Sequence, residues 1–484
     1  MKIKSAILLI AIALISTANA QNASQLGRVV NDVQKSSGMR NASLSVCVYN
    51  ITQNKPVYTY DAERAVIPAS INKIFTTATA FNNLGSDFRF KTTLEYSGEI
   101  DNKGILHGNL YITGGGDPLL GSYRYRQTQP DTLFANWYEA ITKLGIKGID
   151  GRISYVTSIF DNKALNDTWR WGDIGNYYAS GVSALNFHEN MYFAYFNSGK
   201  KIGYPATINK VLPKNVNVRH YTEVTTGPEN SGDQVTVYGD PNSSMRFYHG
   251  TVPLNKNNFA IRGAMPKPAE SCAELFATYL RGKGLTISNS VTEATSKPDN
   301  LKHILSYYSN TYYVIAQYTN QTSNNMYAES IFKYLGYDKY GKGSFENGAK
   351  AINQYFKFLK LDTEGVHIVD GSGLSRSNRL TASFMCRFLN KVFHTSYYKD
   401  FNMTLAKVGH SGTAKFLIPN LPSNISVNIK TGTMNGVKSY AGYVTTAQGD
   451  VLSFCIVANN FDCSSTAAKS KLQKILYEIA CIKN

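Results

Sequence analysis

A strict alternation near the C-terminus constrains this chain most. Ile425, Val427 and Ile429 alternate with Ser426, Asn428 and Lys430, the signature of a strand buried on one face. That register presents Lys430 on the polar face, and Thr431-Gly432-Thr433 completes the strand. Runs 439–446 and 451–458 flank Gln448-Gly449-Asp450 as a hairpin, and Ala468, Leu472, Ile475, Leu476 and Ile479 mark a closing helix. The other end supplies a matching set: a helical pattern over 25–37, then β-rich runs 44–49 and 56–60 around a polar turn at 50–55. Helices return over 311–318, then in a segment with Tyr327, Ile331, Tyr334 and Leu335 that Gly336 should end, and again over 344–361. An α/β fold follows, a sheet covered by helices and built from both ends of the chain.

The intervening region, roughly 86–305, reads differently. Strand-like runs at 88–96 and 105–113 lead to Gly114-Gly115-Gly116-Asp117-Pro118, and short β-like runs divided by Asn, Gly and Pro fill most of the rest. The glycine turn is not a phosphate loop, because no Gly-Lys-Ser/Thr follows and Pro118 opens no helix of the required kind. Two helices interrupt the pattern. One is expected after an Asp131 cap, with Leu133, Trp137, Ile141 and Leu144 on one face and Gly145 at its end; the other follows Pro268, with Leu275, Tyr279 and Leu280 inward. A chain of 484 residues exceeds one ordinary core, so 86–305 is expected to be an inserted, mostly β region of one or two modules.

Residues 1–20 have the layout of a secretory signal, with Lys2 and Lys4 before an apolar run at 6–15 and Ala18-Asn19-Ala20 before Gln21. No other stretch approaches spanning length, which predicts an exported protein without a membrane anchor. The formal charge of +17 includes the two signal lysines and favours anionic surroundings such as cell-wall polymers or a membrane surface. Nucleic acid is excluded as a partner, since no basic run or recognition motif accompanies export. Six cysteines are too few for a disulfide scaffold and lack Cys-x-x-Cys spacing; Cys47, Cys386 and Cys455 read as buried thiols, and Cys463 with Cys481 as the best candidate pair. His188 and His410 read as packing or surface residues, and no metal or cofactor is implied.

Chemistry enters at Ala69-Ser70-Ile71-Asn72-Lys73. After Pro68, Ile71, Ile74, Phe75, Ala78 and Phe81 recur at the spacing of a buried helix face that Gly85 closes, so Ser70 stands near a helix start. Lys73, one turn on, shares its face, and an amine desolvated among apolar residues can take a proton from a hydroxyl. Two further elements carry reactive polar groups: Ser323-Asn324-Asn325 on a tight interhelical turn, and Lys430-Thr431-Gly432 on the strand. Ser-x-x-Lys also occurs at 198–201 and 396–399, and Ser-x-Asn at 426–428, but there without this context. Three motifs in this order, each on the element its chemistry needs, form the signal.

With these motifs the chain resembles the penicillin-recognising serine acyltransferases. The large insertion and the turn Asp370-Gly371-Ser372-Gly373 make it similar to the D-alanyl-D-alanine carboxypeptidase/endopeptidases of penicillin-binding protein 4 type, over essentially the whole mature chain. The resemblance implies a transpeptidase/β-lactamase-like catalytic domain, an antiparallel sheet covered by helices, from 21–85 and 306–484, with 86–305 holding two nested domains. It implies a periplasmic hydrolase of peptidoglycan stem peptides that β-lactams acylate, with Ser70, Lys73, Ser323, Asn325 and Lys430 catalytic. The backbone N–H groups of Ser70 and Thr433 would hold the oxyanion, and Lys430, Thr431, Gly432 and Thr433 the terminal carboxylate. It also places Asp173, Tyr178, Arg376 and Asn435 at the substrate entrance, where Asp173 and Arg376 suit the two charges of a diaminopimelate side chain. One departure is Gly409-His410-Ser411-Gly412-Thr413, which lacks the carboxylate of relatives. The alternatives are a non-catalytic cell-wall or penicillin-binding protein, which intact motifs disfavour, and a β-lactamase, disfavoured by the absence of a Glu-x-x-Leu-Asn water-positioning segment.

Overall fold

The computed structural model describes residues 24–483, so the expected signal at 1–20 lies outside the described residues. Two compact units emerge. One comprises residues up to Ser86, Ala316–Asn324 and the chain from Ala349 on; the other comprises Asp87–Ile315 and Asn325–Gly348.

In the first unit both chain ends enter one six-stranded antiparallel sheet, in the order Ala406–Lys407, Ser426–Met434, Val437–Thr445, Val451–Asn459, Ser43–Asn50, Lys55–Tyr60. Period-two alternation puts Val46, Val48, Val427, Ile429, Phe454 and Ile456 into one core with Leu26 and Val30 of the 24–35 helix and Leu472, Ile475 and Ile479 of the Ser465–Ala480 helix. On other strand residues rests the Ala382–Phe393 helix, capped by the Thr381 hydroxyl accepting from the Phe384 N–H. The Lys73–Leu84 helix is pinned by Phe75, whose ring meets Phe356, Phe384 and Phe388 edge-on at 5.0, 5.7 and 4.8 Å. Burying such a ring contributes roughly 2 kcal/mol, and the edge contacts add to it. The nucleophile-bearing helix is thereby fixed from below.

The second unit contains two separate apolar cores. One gathers Leu94, Leu110, Ile112, Trp137, Ile153 and Phe276 between a five-stranded sheet and the helices Pro130–Lys143 and Pro268–Gly282. The other gathers Tyr192, Phe196, Val237 and Tyr248 between two three-stranded sheets. Asp131 does not cap its helix: Gln129 is the cap residue, Pro130 the first helical position, and Asp131 sits in the first turn, where its charge suits the helix dipole. Leu144 falls just past that helix and is exposed.

The second unit begins at Asp87, one residue from the expected start of the insertion, and the partition departs from the expected boundary at 306. Residues 325–348 belong with the insertion because the Asn325–Tyr340 helix is tied to it: the Ser330 hydroxyl donates to the Gly116 carbonyl (2.6 Å) and accepts from Asn186 (3.0 Å), and Lys333 donates to Asp161 (2.6 Å). Gly336 does not end this helix but lies inside it. A Cβ there would stand 2.8 Å from the Gly348 nitrogen, so glycine serves close approach rather than termination. The preceding helix runs on to Thr322, beyond the expected end at 318. Cys463 and Cys481 are not paired: all six cysteines are thiols, and Cys463 packs against Gly38 instead. Cys47, Cys386 and Cys455 are buried as expected.

Candidate active site

Ser70 does not cap its helix. It lies on a 3-10 turn, Ala69–Asn72, that runs straight into the Lys73–Leu84 helix, and its side chain makes no capping bond. In a 3-10 turn residues three apart eclipse one another, which brings Lys73 directly to Ser70. The Lys73 Nζ donates to Ser70 Oγ at 2.9 Å and to the Ser372 carbonyl at 2.7 Å, while its side chain is wholly buried. Ser70 itself stays partly exposed. A buried amine on a reachable hydroxyl is the minimum apparatus for activating a serine.

The turn after Val369 holds that amine. The Asp370 carboxylate accepts from the Gly373 N–H (2.8 Å), the Ser375 N–H (2.7 Å) and Asn378 Nδ2 (2.8 Å), which folds the turn on itself. Its carbonyls then face the nucleophile helix: Asp370 O accepts from Asn72 Nδ2 (2.8 Å), Gly371 O from Thr76 Oγ1 (2.7 Å) and Ser372 O from Lys73. Gly373 adopts φ +80, and a Cβ there would stand 2.0 Å from the Ala69 carbonyl oxygen. Sequence reasoning singled out this turn but gave it no place in the site. The signal available was Asn72 and Thr76, polar residues on an otherwise apolar helix stripe that require buried partners.

Lys430 lies on the strand expected for it. Its side chain is entirely buried. The polar face is covered here: Lys430 Nζ donates to Ser323 Oγ (2.9 Å) and to the Thr431 carbonyl (2.8 Å). Burial first, and then the charge of Lys73, push the Lys430 amine well below the usual lysine range. Ser323 occupies the turn with φ +60, a conformation that costs a non-glycine residue about 1 kcal/mol and here aims its hydroxyl at Lys430. Gly432 is required by crowding, since a Cβ would meet Ser439 Oγ at 2.1 Å and the Ser70 nitrogen at 3.0 Å. The Ser439 hydroxyl in turn donates to the Pro68 carbonyl (2.6 Å), which locks the 3-10 turn to the sheet. The altered segment at 409–413 retains a link to the strand, for Thr431 Oγ1 donates to Thr413 Oγ1 at 2.7 Å. His410 is exposed, and His188 is buried among the rings of Tyr123, Phe187 and Phe193.

The first unit thus brings together Ser70, Lys73, Ser323 and Lys430, two hydroxyl–amine pairs that can move a proton to or from a reacting group. Thr433 is exposed on the same strand and accepts a hydrogen bond from Lys438 (2.7 Å). Arg376 donates to the Asn435 carbonyl. Asn325, Asp173 and Tyr178 belong to the other unit, where Asn325 Nδ2 donates to the Tyr178 carbonyl (2.7 Å) and the Tyr178 hydroxyl to Asp173 (3.1 Å).

The chain is similar to known proteins over most of its length. It is 26% identical over 429 residues to the D-alanyl-D-alanine carboxypeptidase DacB of Haemophilus influenzae, covering 87% of this chain and 86% of that one. It is 24% identical to the D-alanyl-D-alanine carboxypeptidase of an Actinomadura species, over 92% and 83% of the two chains. The crystal structure of penicillin-binding protein 4 from Haemophilus influenzae superposes with a TM-score of 0.79 at 25% identity, over 93% of this chain and 97% of that one. That likeness fixes the fold as transpeptidase-like with a β-rich insertion. Residues 26–480 match the profile of a single family, spanning both units and every motif described above, and so this chain belongs to the D-Ala-D-Ala carboxypeptidase 3 (S13) peptidase family.

Proposed function

We propose that this protein is an exported, periplasmic serine-type D-Ala-D-Ala carboxypeptidase and endopeptidase that cleaves peptidoglycan stem peptides through an acyl-enzyme on Ser70, and that β-lactams acylate the same residue. The observation that carries this reading is the buried Lys73 amine donating to Ser70 Oγ at 2.9 Å. Ser70 attacks the carbonyl of the penultimate D-alanine while Lys73 takes its proton, and Ser323 with Lys430 delivers a proton to the departing amine. The backbone N–H groups of Ser70 and Thr433 receive the developing oxyanion, each such donor contributing roughly 3 kcal/mol. Lys430 and the Thr431 and Thr433 hydroxyls, across the narrow ridge left by Gly432, hold the terminal carboxylate. A depressed amine pKa suits that task, because an arriving carboxylate restores the proton that burial disfavours. Asn325 bonds the backbone amide of the substrate.

The same reading assigns specificity to charges that the three motifs do not need. Asp173 receives the ammonium of a diaminopimelate side chain and Arg376 its carboxylate, with Tyr178 on the methylenes and Asn435 at the border. Both charges are held by neighbours, Asp173 by the Tyr178 hydroxyl and Arg376 by the Asn435 carbonyl. Arg376→Ala is expected to lower turnover of peptides with a free diaminopimelate side chain at least about tenfold, roughly 1.4 kcal/mol, and to spare peptides with an uncharged side chain. Equal losses on both would refute the clamp. The two cores of the inserted unit read as two nested modules, and the charge of +17 suits peripheral contact with anionic cell wall or membrane. Among the described residues no helix is long and apolar enough to cross a membrane. Incubation with purified peptidoglycan fragments and mass analysis of the products tests the activity: released D-alanine or split cross-links support it, and unchanged fragments contradict it.

A further inference from the structure

Three of the six thiols converge on one place in the catalytic unit. Cys47 on the Ser43–Asn50 strand stands directly opposite Cys455 on the Val451–Asn459 strand. Cys386, 339 residues further along the chain than Cys47, comes from the Ala382–Phe393 helix that packs on both strands, and its thiol donates to the Cys47 carbonyl at 3.3 Å. Small apolar packing would explain three cysteines in a core, but it does not explain how differently they are placed. Cys455 is sealed at 0% exposure, whereas Cys47 at 6% and Cys386 at 2% both line an open groove of about 1010 Å³ with Thr59, Glu63, Ser383, Arg387 and Lys391. Their electrostatic surroundings then distinguish Cys47 from the other two. Hydrogen bonding from the Cys386 thiol, helped by Ser383 and the charge of Arg387, draws the Cys47 thiol below its ordinary range against the opposing effect of burial. Burial drives Cys386 and Cys455 well above theirs. A groove-lining thiol with stabilised thiolate character, in contact with a second groove-lining thiol that burial keeps protonated, is the arrangement of an attacking and a resolving cysteine.

We propose that Cys47 and Cys386 form a reversible dithiol–disulfide pair, in which Cys47 reacts first with a small-molecule disulfide reaching it along the groove and Cys386 resolves the product. In the first step the Cys47 thiolate bonds to one sulfur of glutathione disulfide, whose S–S bond breaks to release one glutathione thiolate. In the second step the Cys386 sulfur attacks the Cys47 sulfur, the Cys47–glutathione bond breaks, and the second glutathione leaves. The two thiol protons leave with the two glutathiones, and the two electrons lost by the protein reduce the oxidant. The resulting link joins the Ala382–Phe393 helix to the Ser43–Asn50 strand. It differs from the Cys463–Cys481 link suggested by sequence, since it uses two thiols that hydrogen-bond to each other.

The test uses the full chain, first reduced and then exposed to glutathione disulfide, with intact-mass measurement and peptide mapping. The wild type is expected to lose two hydrogens and yield a Cys47–Cys386 linked peptide, which dithiothreitol reverses. Cys386→Ser, with Cys386→Ala as a second replacement in case the hydroxyl disturbs packing, should stop at a stable glutathione adduct on Cys47. Cys47→Ser should leave Cys386 unmodified. Circular dichroism of each variant confirms that these outcomes are read on folded protein. A Cys47–Cys455 link would overturn the assignment of the resolving thiol, and an unreactive Cys47 while Cys463 and Cys481 are modified would overturn the proposal.

Discussion

Adding one methyl group at Gly373 tests whether the Asp370–Gly373 turn sets the geometry of the nucleophile. Gly373 has φ +80, so alanine there costs about 1 to 2 kcal/mol in backbone conformation alone. Its Cβ would also lie 2.0 Å from the Ala69 carbonyl oxygen and 2.6 Å from the Ala69 carbonyl carbon, both backbone atoms of the residue before Ser70. Reaching ordinary van der Waals separation requires a displacement of about 1.4 Å, and forced overpacking adds about 1 to 3 kcal/mol. The turn and the 3-10 segment must part, and the Ser372 carbonyl leaves the Lys73 amine. Misplacement by about 1 Å costs on the order of a hundredfold in rate. Gly373→Ala is therefore expected to reduce the second-order rate of acylation by a fluorescent penicillin about a hundredfold and to lower the unfolding midpoint. Gly449→Ala is the control, because Gly449 has φ +90 but nothing within 4 Å of its Cβ position, so only the conformational cost applies and acylation is unchanged. Wild-type acylation in Gly373→Ala, or an equal loss in Gly449→Ala, would refute the reasoning.

Lys430→Ala is expected to slow acylation far more for carboxylate-bearing ligands than for their esters; equal losses, measured by the same labelling kinetics, would leave only a proton-transfer or structural role. Asp117 gives a pH-dependent prediction. Complete burial raises its carboxyl from 3.8 to about 7, against one hydrogen bond from the Leu119 N–H. Since the folded value lies above the unfolded one, the folded state holds its proton longer, so its contribution is full below about pH 3.8 and is lost as pH rises to about 7. Asp117→Asn, which cannot ionise, should match the wild type in urea unfolding near pH 4 and exceed it above pH 7, by at most about 4 kcal/mol. A constant difference across that window would show that Asp117 does not titrate there.

Much of the fold was legible because both ends of the chain carry clean periodicity. The alternation at 425–430 and the stripe from Ala468 to Ile479 each became the element expected, and six strands from the two termini formed one sheet. Periodicity does not report what covers a polar face: alternation gave the direction of Lys430, while its burial depends on tertiary neighbours, among them Ser323, distant in sequence. Gly336 failed for a related reason. Local rules read glycine as a stop, whereas this one admits the backbone of residues 347–348. The Asp370 turn shows the third kind of gap, since it serves the site through backbone carbonyls, and carbonyls leave no mark in a sequence. Cys463 and Cys481 were paired by their positions flanking one helix, but flanking positions do not set sulfur separation.

Acylation is expected at Ser70, activated by Lys73. Incubating the full chain with benzylpenicillin, then measuring intact mass and mapping the modified peptide, tests it most directly, with Ser70→Ala carried in parallel. One penicilloyl adduct is expected, located on Ser70 and absent from Ser70→Ala. An adduct that persists in Ser70→Ala, or a wild-type protein that takes up none, would contradict it.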